Sequence, residues 1–319
     1  MARRSPSDIN LLLGIDKPVG MTSQDAVSSV RRALDERRVG HAGTLDPLAS
    51  GVLVVGIGQA TRLLGMLALD RKAYLARIVF GTETETDDEE GAVVRAVAPA
   101  PELADEEFAR GILAGFTGPQ LQVPPAYSAI SVDGRRSYAR ARSGEQVELE
   151  ARPVEIYSAA LIAIDDEGDG PVWTVSFEVS KGTYIRALAR DIGRAAGGTA
   201  HLRELRRTAS GSVTLARCLP LEGLDRASAR AGALDPVYVL GLPACEIDAG
   251  MLPDVLNGRS IPASAVHPRG AAAGDASDGV PEERPVALIC RDELRAIAEE
   301  EGGRIRMRTV FPQGIGGVR

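Results

Sequence analysis

Apolar residues recur along this chain with two spacings, and the switches between them outline its elements. LLLGIDKP (11–18) is an almost unbroken apolar run closed by proline, which predicts a short strand. In TSQDAVSSVRRAL (22–34), Ala26, Val27, Val30 and Leu34 fall three and four residues apart behind Thr22 or Ser23, which predicts a capped helix with one apolar stripe. VLVVGIG (52–58) predicts the next strand, and KAYLARIVFG (72–81), AYSAISV (126–132), VEIYSAALIAI (154–164) and VWTVSFEVS (172–180) predict others. TYIRALARDIGRAAG (183–197) returns to helical spacing. Strands come both singly and in adjacent runs, so an α+β fold with a mixed sheet flanked by helices is expected rather than regular βαβ winding.

Around GALDPVYVLGLP (232–243) the pattern changes at a proline- and glycine-marked junction, which divides the chain into residues 1–235 and 236–319. Beyond it, HPRGAAAGDASDGVPEERP (267–285) is poor in large apolar residues and is expected to be a mobile loop. In residues 285–311, short apolar runs flank the turn signals RDE and EGG, which predicts a small β-rich domain.

Composition narrows the function classes. With 319 residues and 44% hydrophobic content the chain can bury one large core and a smaller one. Its longest apolar stretch is far too short to cross a bilayer, and its start lacks the apolar centre of a signal peptide, so a cytosolic protein without membrane association is expected. Cys218, Cys245 and Cys290 are too widely spaced for a metal knuckle and odd in number, and read as buried small hydrophobes. The net charge of −7 argues against a uniformly basic nucleic-acid binder. Distribution changes that picture: bases cluster in RRALDERR (31–38), GRRSYARAR (134–142) and HLRELRRT (201–208), and acids in TETETDDEEG (82–91), DDEGD (165–169) and AEEEG. Helices with such mixed charge are commonly solvated faces.

Two short motifs carry candidate chemistry. VLVVGIGQAT sets GxG after a strand, but Thr61 stands where a dinucleotide fingerprint needs its third glycine, so a tight turn is favoured over a nicotinamide site. GHAGTLDPLASG (40–51) places Asp46 between Leu45 and Pro47 in a glycine-rich turn. A carboxylate on so rigid a backbone suits a group that meets a substrate at fixed geometry. Taken alone, an Asx turn or a helix cap is the favoured reading of such an aspartate.

Read in order, DKPVGMTSQDAV (16–27), VGHAGTLDPLASGVLVVGIGQATR (39–62), KAYLARIVFG, TETDDEEG (84–91), QVPPAYSAISVDGRRSYARARSG (122–144) and SKGTYIRALARDIG (180–193) resemble the TruB family, bacterial tRNA pseudouridine synthases that act on uridine 55 of the T-loop. The likeness runs through residues 9–215, and LNGRSI (256–261) with VALICRDELRAIAEEEGG (286–303) resembles a PUA-type RNA-binding domain.

The resemblance implies the pseudouridine synthase fold, base flipping, tRNA and specifically its T-arm as partner, a monomer, and neither cofactor nor metal. It implies that Asp46 is the essential aspartate, either as nucleophile at C1′ or as the base that takes the 2′ proton. Arg186 matches the arginine that pairs with that aspartate, and Tyr74 the tyrosine that stacks on uracil and assists proton movement at C5; without the match Tyr74 would read equally well as core. Tyr184 and Leu205 match the remaining pocket wall. His41 matches the histidine that fills the space left by the flipped base, Lys17 and Pro18 a pair that supports the fold near the site, while His201 and His267 read as structural. The family turn commonly reads TDTGDAEG; here Glu85 and Asp87 replace Asp and Gly while Asp88 keeps the matching acid. These changes are expected to alter how the loop meets the T-loop and to leave the catalytic set untouched. Arg259, Arg269, Arg304, Arg306 and Arg308 are expected to contact phosphates, with a solvated strand face as the alternative. Two other functions stay open: an RNA-folding protein of the same fold, and a synthase acting on another RNA.

Overall fold

The computed structural model describes residues 7–68, 71–127, 131–132, 135–136, 149–166, 170–269 and 284–319. They form two compact units. One holds the described chain through Pro47, Gly51–Ala68 and Gly211–Arg319; the other holds Leu48–Ser50 and the described chain from residue 71 to Ser210.

The first unit opens with β1 (Leu11–Lys17), helix α1 (Ser23–Leu34), β2 (Val39–Ala42) and β3 (Ala49–Ile57). Thr22 caps α1: its hydroxyl accepts the Asp25 N–H while the Asp25 carboxylate accepts the Thr22 N–H. The expected stripe of Ala26, Val27, Val30 and Leu34 is buried in one apolar cluster with Leu13, Ile15, Leu53 and Val55. β3 pairs antiparallel with both β1 and β2. The GxG after β3 closes on its own chain. Gly58 has φ +59, and a β-carbon there would lie 2.4 Å from the Ile9 carbonyl oxygen, so this glycine serves a tight turn.

The second unit runs through β4 (Lys72–Phe80), β5 (Thr82–Thr84), β6 (Val93–Ala96), helix α2 (Glu106–Ala114), β7 (Gly118–Gln122), the two-residue β8 (Ser131–Val132) and β9 (Arg135–Arg136), β10 (Arg152–Asp166), β11 (Pro171–Val179), helix α3 (Ile185–Ala195) and β12 (Ala200–Ser210). Its main sheet is antiparallel in the order β12-β4-β11-β10-β7. Trp173 is fully buried there, tilted against Phe80 at 4.5 Å, with its indole N–H donated to the Leu103 carbonyl at 2.8 Å. α3 packs on β12 and β4.

HLRELRRT, which the sequence presents only as a cluster of bases, lies in strand β12, which carries register shifts between Leu202 and Glu204 and between Arg207 and Ala209 against β4. Such bulges break the alternation of two and leave the buried Leu202 and Leu205 three residues apart, a spacing that imitates a helix.

The chain then returns to the first unit through β13 (Val213–Thr214) and β14 (Cys218–Pro220), which runs parallel to β1. β15 (Ala244–Ile247), β16 (Ile261–Pro262), β17 (Val266–Pro268), β18 (Val286–Cys290), β19 (Glu293–Glu301) and β20 (Arg304–Ile315) form a six-stranded sheet in the order β16-β20-β19-β18-β15-β17. The RDE and EGG signals are its hairpin turns. Arg291 and Asp292 both take φ +55, the primed-turn geometry that matches strand twist. The sheets of both units are largely antiparallel, with parallel pairs only at β1–β14 and β15–β18 among the described strands, so the α+β reading holds.

The β-rich region has a core of its own, with Ile247, Val255, Ile261, Leu288 and Ile305 buried together, and shares a second one with the strands that open the chain. Phe311, Ile315, Leu294, Ile297 and Ala287 share one buried cluster with Leu12, Val52 and Val54 of β1 and β3. Hydrogen bonds seal the same seam: Gly316 N–H to the Asn10 carbonyl at 3.0 Å, Gln59 Nε2 to Gln313 Oε1 at 2.7 Å and Gln313 Nε2 to the Ser7 carbonyl at 2.9 Å. Of the expected mobile loop, residues 270–283 lie outside the described residues, as do 128–130 of AYSAISV and most of GRRSYARAR.

Candidate active site

Asp46 lies in the turn between β2 and β3, half-buried, with the backbone on both sides of it fixed. On one side the buried Ser23 hydroxyl accepts the Leu45 N–H at 2.8 Å and donates to the Leu45 carbonyl at 3.0 Å. On the other the Gly20 N–H donates to the Pro47 carbonyl at 2.8 Å. Gly20 is in turn held by Lys17, whose fully buried ammonium donates to the carbonyls of Pro18 (2.9 Å) and Met21 (2.7 Å). Lys17 and Pro18 therefore support the turn, as expected, and Ser23 is a second support that the sequence presents only as a candidate cap. His41 sits half-buried on β2, paired in register with Val55.

The second unit carries the other four expected site residues. Tyr74 on β4 is buried and pairs in register with Phe177 of β11 and Arg207 of β12. Leu205 pairs with Ala76, so it shares a sheet face with Tyr74 on the adjoining strand. Tyr184 precedes α3, its N–H donated to Gln122 Oε1 (2.8 Å) and its carbonyl accepting Gln122 Nε2 (3.1 Å), a two-point clamp from β7. Arg186 enters the first turn of α3, buried, and donates to the carbonyls of Thr86 (3.0 Å) and Tyr127 (3.1 Å) beside an ion pair with Asp88 at 3.3 Å.

This arrangement corrects the expectation for the acidic turn. TETDDEEG does touch the proposed site: Asp88 lies against Arg186, and Asp87 points inward to Arg190 at 2.8 Å. One turn further, Arg194 forks onto Glu83, Nε to Oε1 at 3.0 Å and Nη2 to Oε2 at 2.9 Å. Three arginines at four-residue intervals on α3 thus meet three acids of one segment. Electrostatics differ along the series. Burial pushes the Asp87 carboxyl up to about 6 against the pull of Arg190, whereas the hydrogen bond from Arg194 holds Glu83 below the usual carboxylate range.

His201 is structural as expected, its Nδ1 3.1 Å from both the hydroxyl and the carbonyl oxygen of Thr82. Among the carboxy-terminal arginines, Arg259 pairs with Asp254, Arg269 with Asp292, Arg306 with Glu301 and Arg308 with Glu299, while Arg304 donates to Ser260. Most of the charge proposed for phosphate is thus met by neighbouring acids. Cys245 and Cys290 are buried and Cys218 half-buried. Among the described residues no cluster of three or more His, Cys, Asp or Glu could hold a metal, and no helix is long and apolar enough to cross a membrane.

The fold has counterparts among solved structures. It matches the crystal structure of a Cbf5-Nop10-Gar1 complex with a TM-score of 0.66 at 24% identity, covering 94% of this chain and 84% of that one. It also matches an H/ACA RNP bound to a substrate RNA containing 2′-deoxyuridine, with a TM-score of 0.65 at 23% identity over 94% and 84% of the two chains. These identities speak for the fold alone. The family follows from the sequence itself: residues 31–185 match the TruB family pseudouridylate synthase N-terminal domain, and residues 186–239 the tRNA pseudouridylate synthase B C-terminal domain. The tRNA pseudouridine synthase B of Corynebacterium aurimucosum is 41% identical over 306 residues, 96% of this chain and 97% of its own. That of Mycobacterium tuberculosis is 43% identical over 279 residues, 88% and 91% of the two chains. The chain belongs to the TruB family.

Proposed function

We infer that this chain converts uridine to pseudouridine at position 55 in the T-loop of tRNA. The reading is carried by the double brace on the Asp46 turn, which fixes a half-buried carboxylate where a flexible loop would let it wander. The reaction breaks C1′–N1, turns the base, joins C1′ to C5 and moves the C5 proton to N1, so nothing is oxidised and no group is exchanged. One carboxylate at C1′ or at the 2′ proton is sufficient for it. In this reading Arg186 supplies the positive charge that keeps a carboxylate ionised, Tyr74 stacks on the flipped base, Tyr184 and Leu205 complete its apolar wall, and His41 occupies the space the base leaves. An apolar wall suits a base taken out of its stack, because stacking needs a face and little water.

The same reading makes residues 1–235 the catalytic part and 236–319 a PUA-like RNA-binding part of a cytoplasmic monomer. It is tested by incubating wild type and Asp46→Asn with an unmodified tRNA transcript and mapping pseudouridine with carbodiimide. Asp46→Asn keeps size and removes charge, so modification at position 55 is expected to vanish while tRNA binding stays near wild type. Turnover at the wild-type rate would sink the assignment.

A further inference from the structure

A second arginine on α3 is enclosed as tightly as Arg186, and the reaction as derived makes no use of it. Arg190 is buried and donates in three directions: Nη1 to Asp87 Oδ2 at 2.8 Å, Nε to Asp191 Oδ1 at 2.9 Å and Nη2 to the Val123 carbonyl at 3.0 Å. Two of these partners belong to the same two segments that hold Arg186. Arg186 takes the carbonyls of Thr86 and Tyr127 and the carboxylate of Asp88; Arg190 takes Asp87 and Val123, a few residues away on each. Asp87 is also tied to β12, its carbonyl accepting the Leu202 N–H at 3.0 Å while Glu89 N–H returns to the Leu202 carbonyl at 3.0 Å. Leu205 follows three residues later.

Asp87 is an unfavourable place for a carboxylate. It is buried and takes φ +60, a left-handed backbone that a non-glycine residue adopts at a cost. Strain and enclosed charge combined in one residue, beside a candidate site, are features that functional constraint rather than stability maintains.

We infer that Arg190, through its pair with Asp87, is a positioning residue for the isomerisation: it locks segments 86–88 and 123–127 onto α3 and so holds the Arg186 guanidinium in one orientation. The inference rests on the reading of Arg186 as the site's cation. The charged groups that act on Asp87 are Arg190, Arg186, Asp191 and Arg194, all on α3, with Asp88 adjoining it in the chain and paired with Arg186. Burial places the Asp87 carboxyl near pH 6, so the pair loses its negative member as the medium is acidified through that range.

The experiment measures single-turnover pseudouridine formation on a full tRNA transcript from pH 5 to 8, together with tRNA Kd, for wild type, Arg190→Met, Arg190→Lys, Asp87→Asn and Arg186→Met. Arg190→Met is expected to slow the reaction about tenfold or more at pH 7.5 while Kd stays within about twofold, well under 1 kcal/mol. Arg190→Lys is expected to regain part of the rate, since an ammonium keeps the charge without the fork. Wild type is expected to lose rate as pH falls through about 6, and Asp87→Asn to be slower at pH 7.5 and to lack that inflection. An inactive Arg186→Met beside a wild-type Arg190→Met overturns this inference alone; a fully active Arg186→Met overturns the site reading beneath it. Should Arg190→Met fail to fold, Asp87→Asn decides: an inflection unchanged from wild type overturns the proposal.

Discussion

Lys17 shows how one buried side chain can fix the backbone of a neighbouring turn. Its ammonium is fully buried and holds two carbonyls of the turn whose Gly20 N–H grips Pro47, next to Asp46. Lys17→Met keeps the length of the side chain and leaves both carbonyls unmatched, which should cost about 1–3 kcal/mol. Because the turn then loosens, kcat should fall more than KM rises. Urea unfolding and steady-state kinetics on tRNA check both effects; a variant with wild-type midpoint and kcat would show that the amine supports nothing. At Arg186, the three partners in its own unit require a planar fork, so Arg186→Lys should retain part of the activity and Arg186→Met very little. Equal rates in the two variants would make the arginine merely structural. The rigid turn around Asp46 and the Lys17–Pro18 pair that supports it were legible in the sequence because a whole motif surrounds them. Ser23 and Asp87 were not: nothing in a linear pattern says that a serine at a helix start turns toward a loop, or that one of several neighbouring acids turns inward.

The elements most exposed to misreading are those whose periodicity is broken or whose charge is internal. β12 went unassigned because two bulges displace its apolar positions, and its fully buried Arg207 is the reverse of what a solvated charge cluster predicts. α3 was read correctly, yet no local pattern pairs Arg190 and Arg194 with their acids, which lie over a hundred residues earlier. The rungs of this ladder respond to pH with opposite signs. Asp87 has its folded value raised from 3.8 to about 6, so the folded state gives up stability as pH rises through that window. Glu83 has its value lowered, so its contribution is present above the usual carboxylate range and is lost on acidification through its folded value. Asp87→Asn, which removes the first of these titrations, should therefore gain stability relative to wild type between pH 5 and 7.5, by on the order of 1 kcal/mol. Urea midpoints of both proteins at the two pH values test this; a constant difference between them would show that Asp87 does not titrate there.

At the scale of the whole molecule, the boundary near residue 235 that composition suggests marks a change of sequence character and not a gap in packing. The strands beyond it were legible from their turns, but a shared core is invisible to any local pattern. Val52 and Val54 meet Phe311 and Ile315 in one cluster, so a protein ending near Asp235 would bare that apolar surface. Such a truncation is expected to aggregate, or to unfold at lower urea than the full chain, and a soluble truncation with an unchanged midpoint would contradict the shared core. The same seam sets a schedule for biosynthesis. β1 leaves the ribosome long before β20, and at about 5–20 residues per second roughly 15–60 seconds separate them. Through that interval Leu12, Val52 and Val54 lack the residues that cover them, which favours capture by a chaperone that holds apolar segments. Nascent chains arrested before Arg304 should stay open to protease in β1 and β3, and become resistant only when β20 is released.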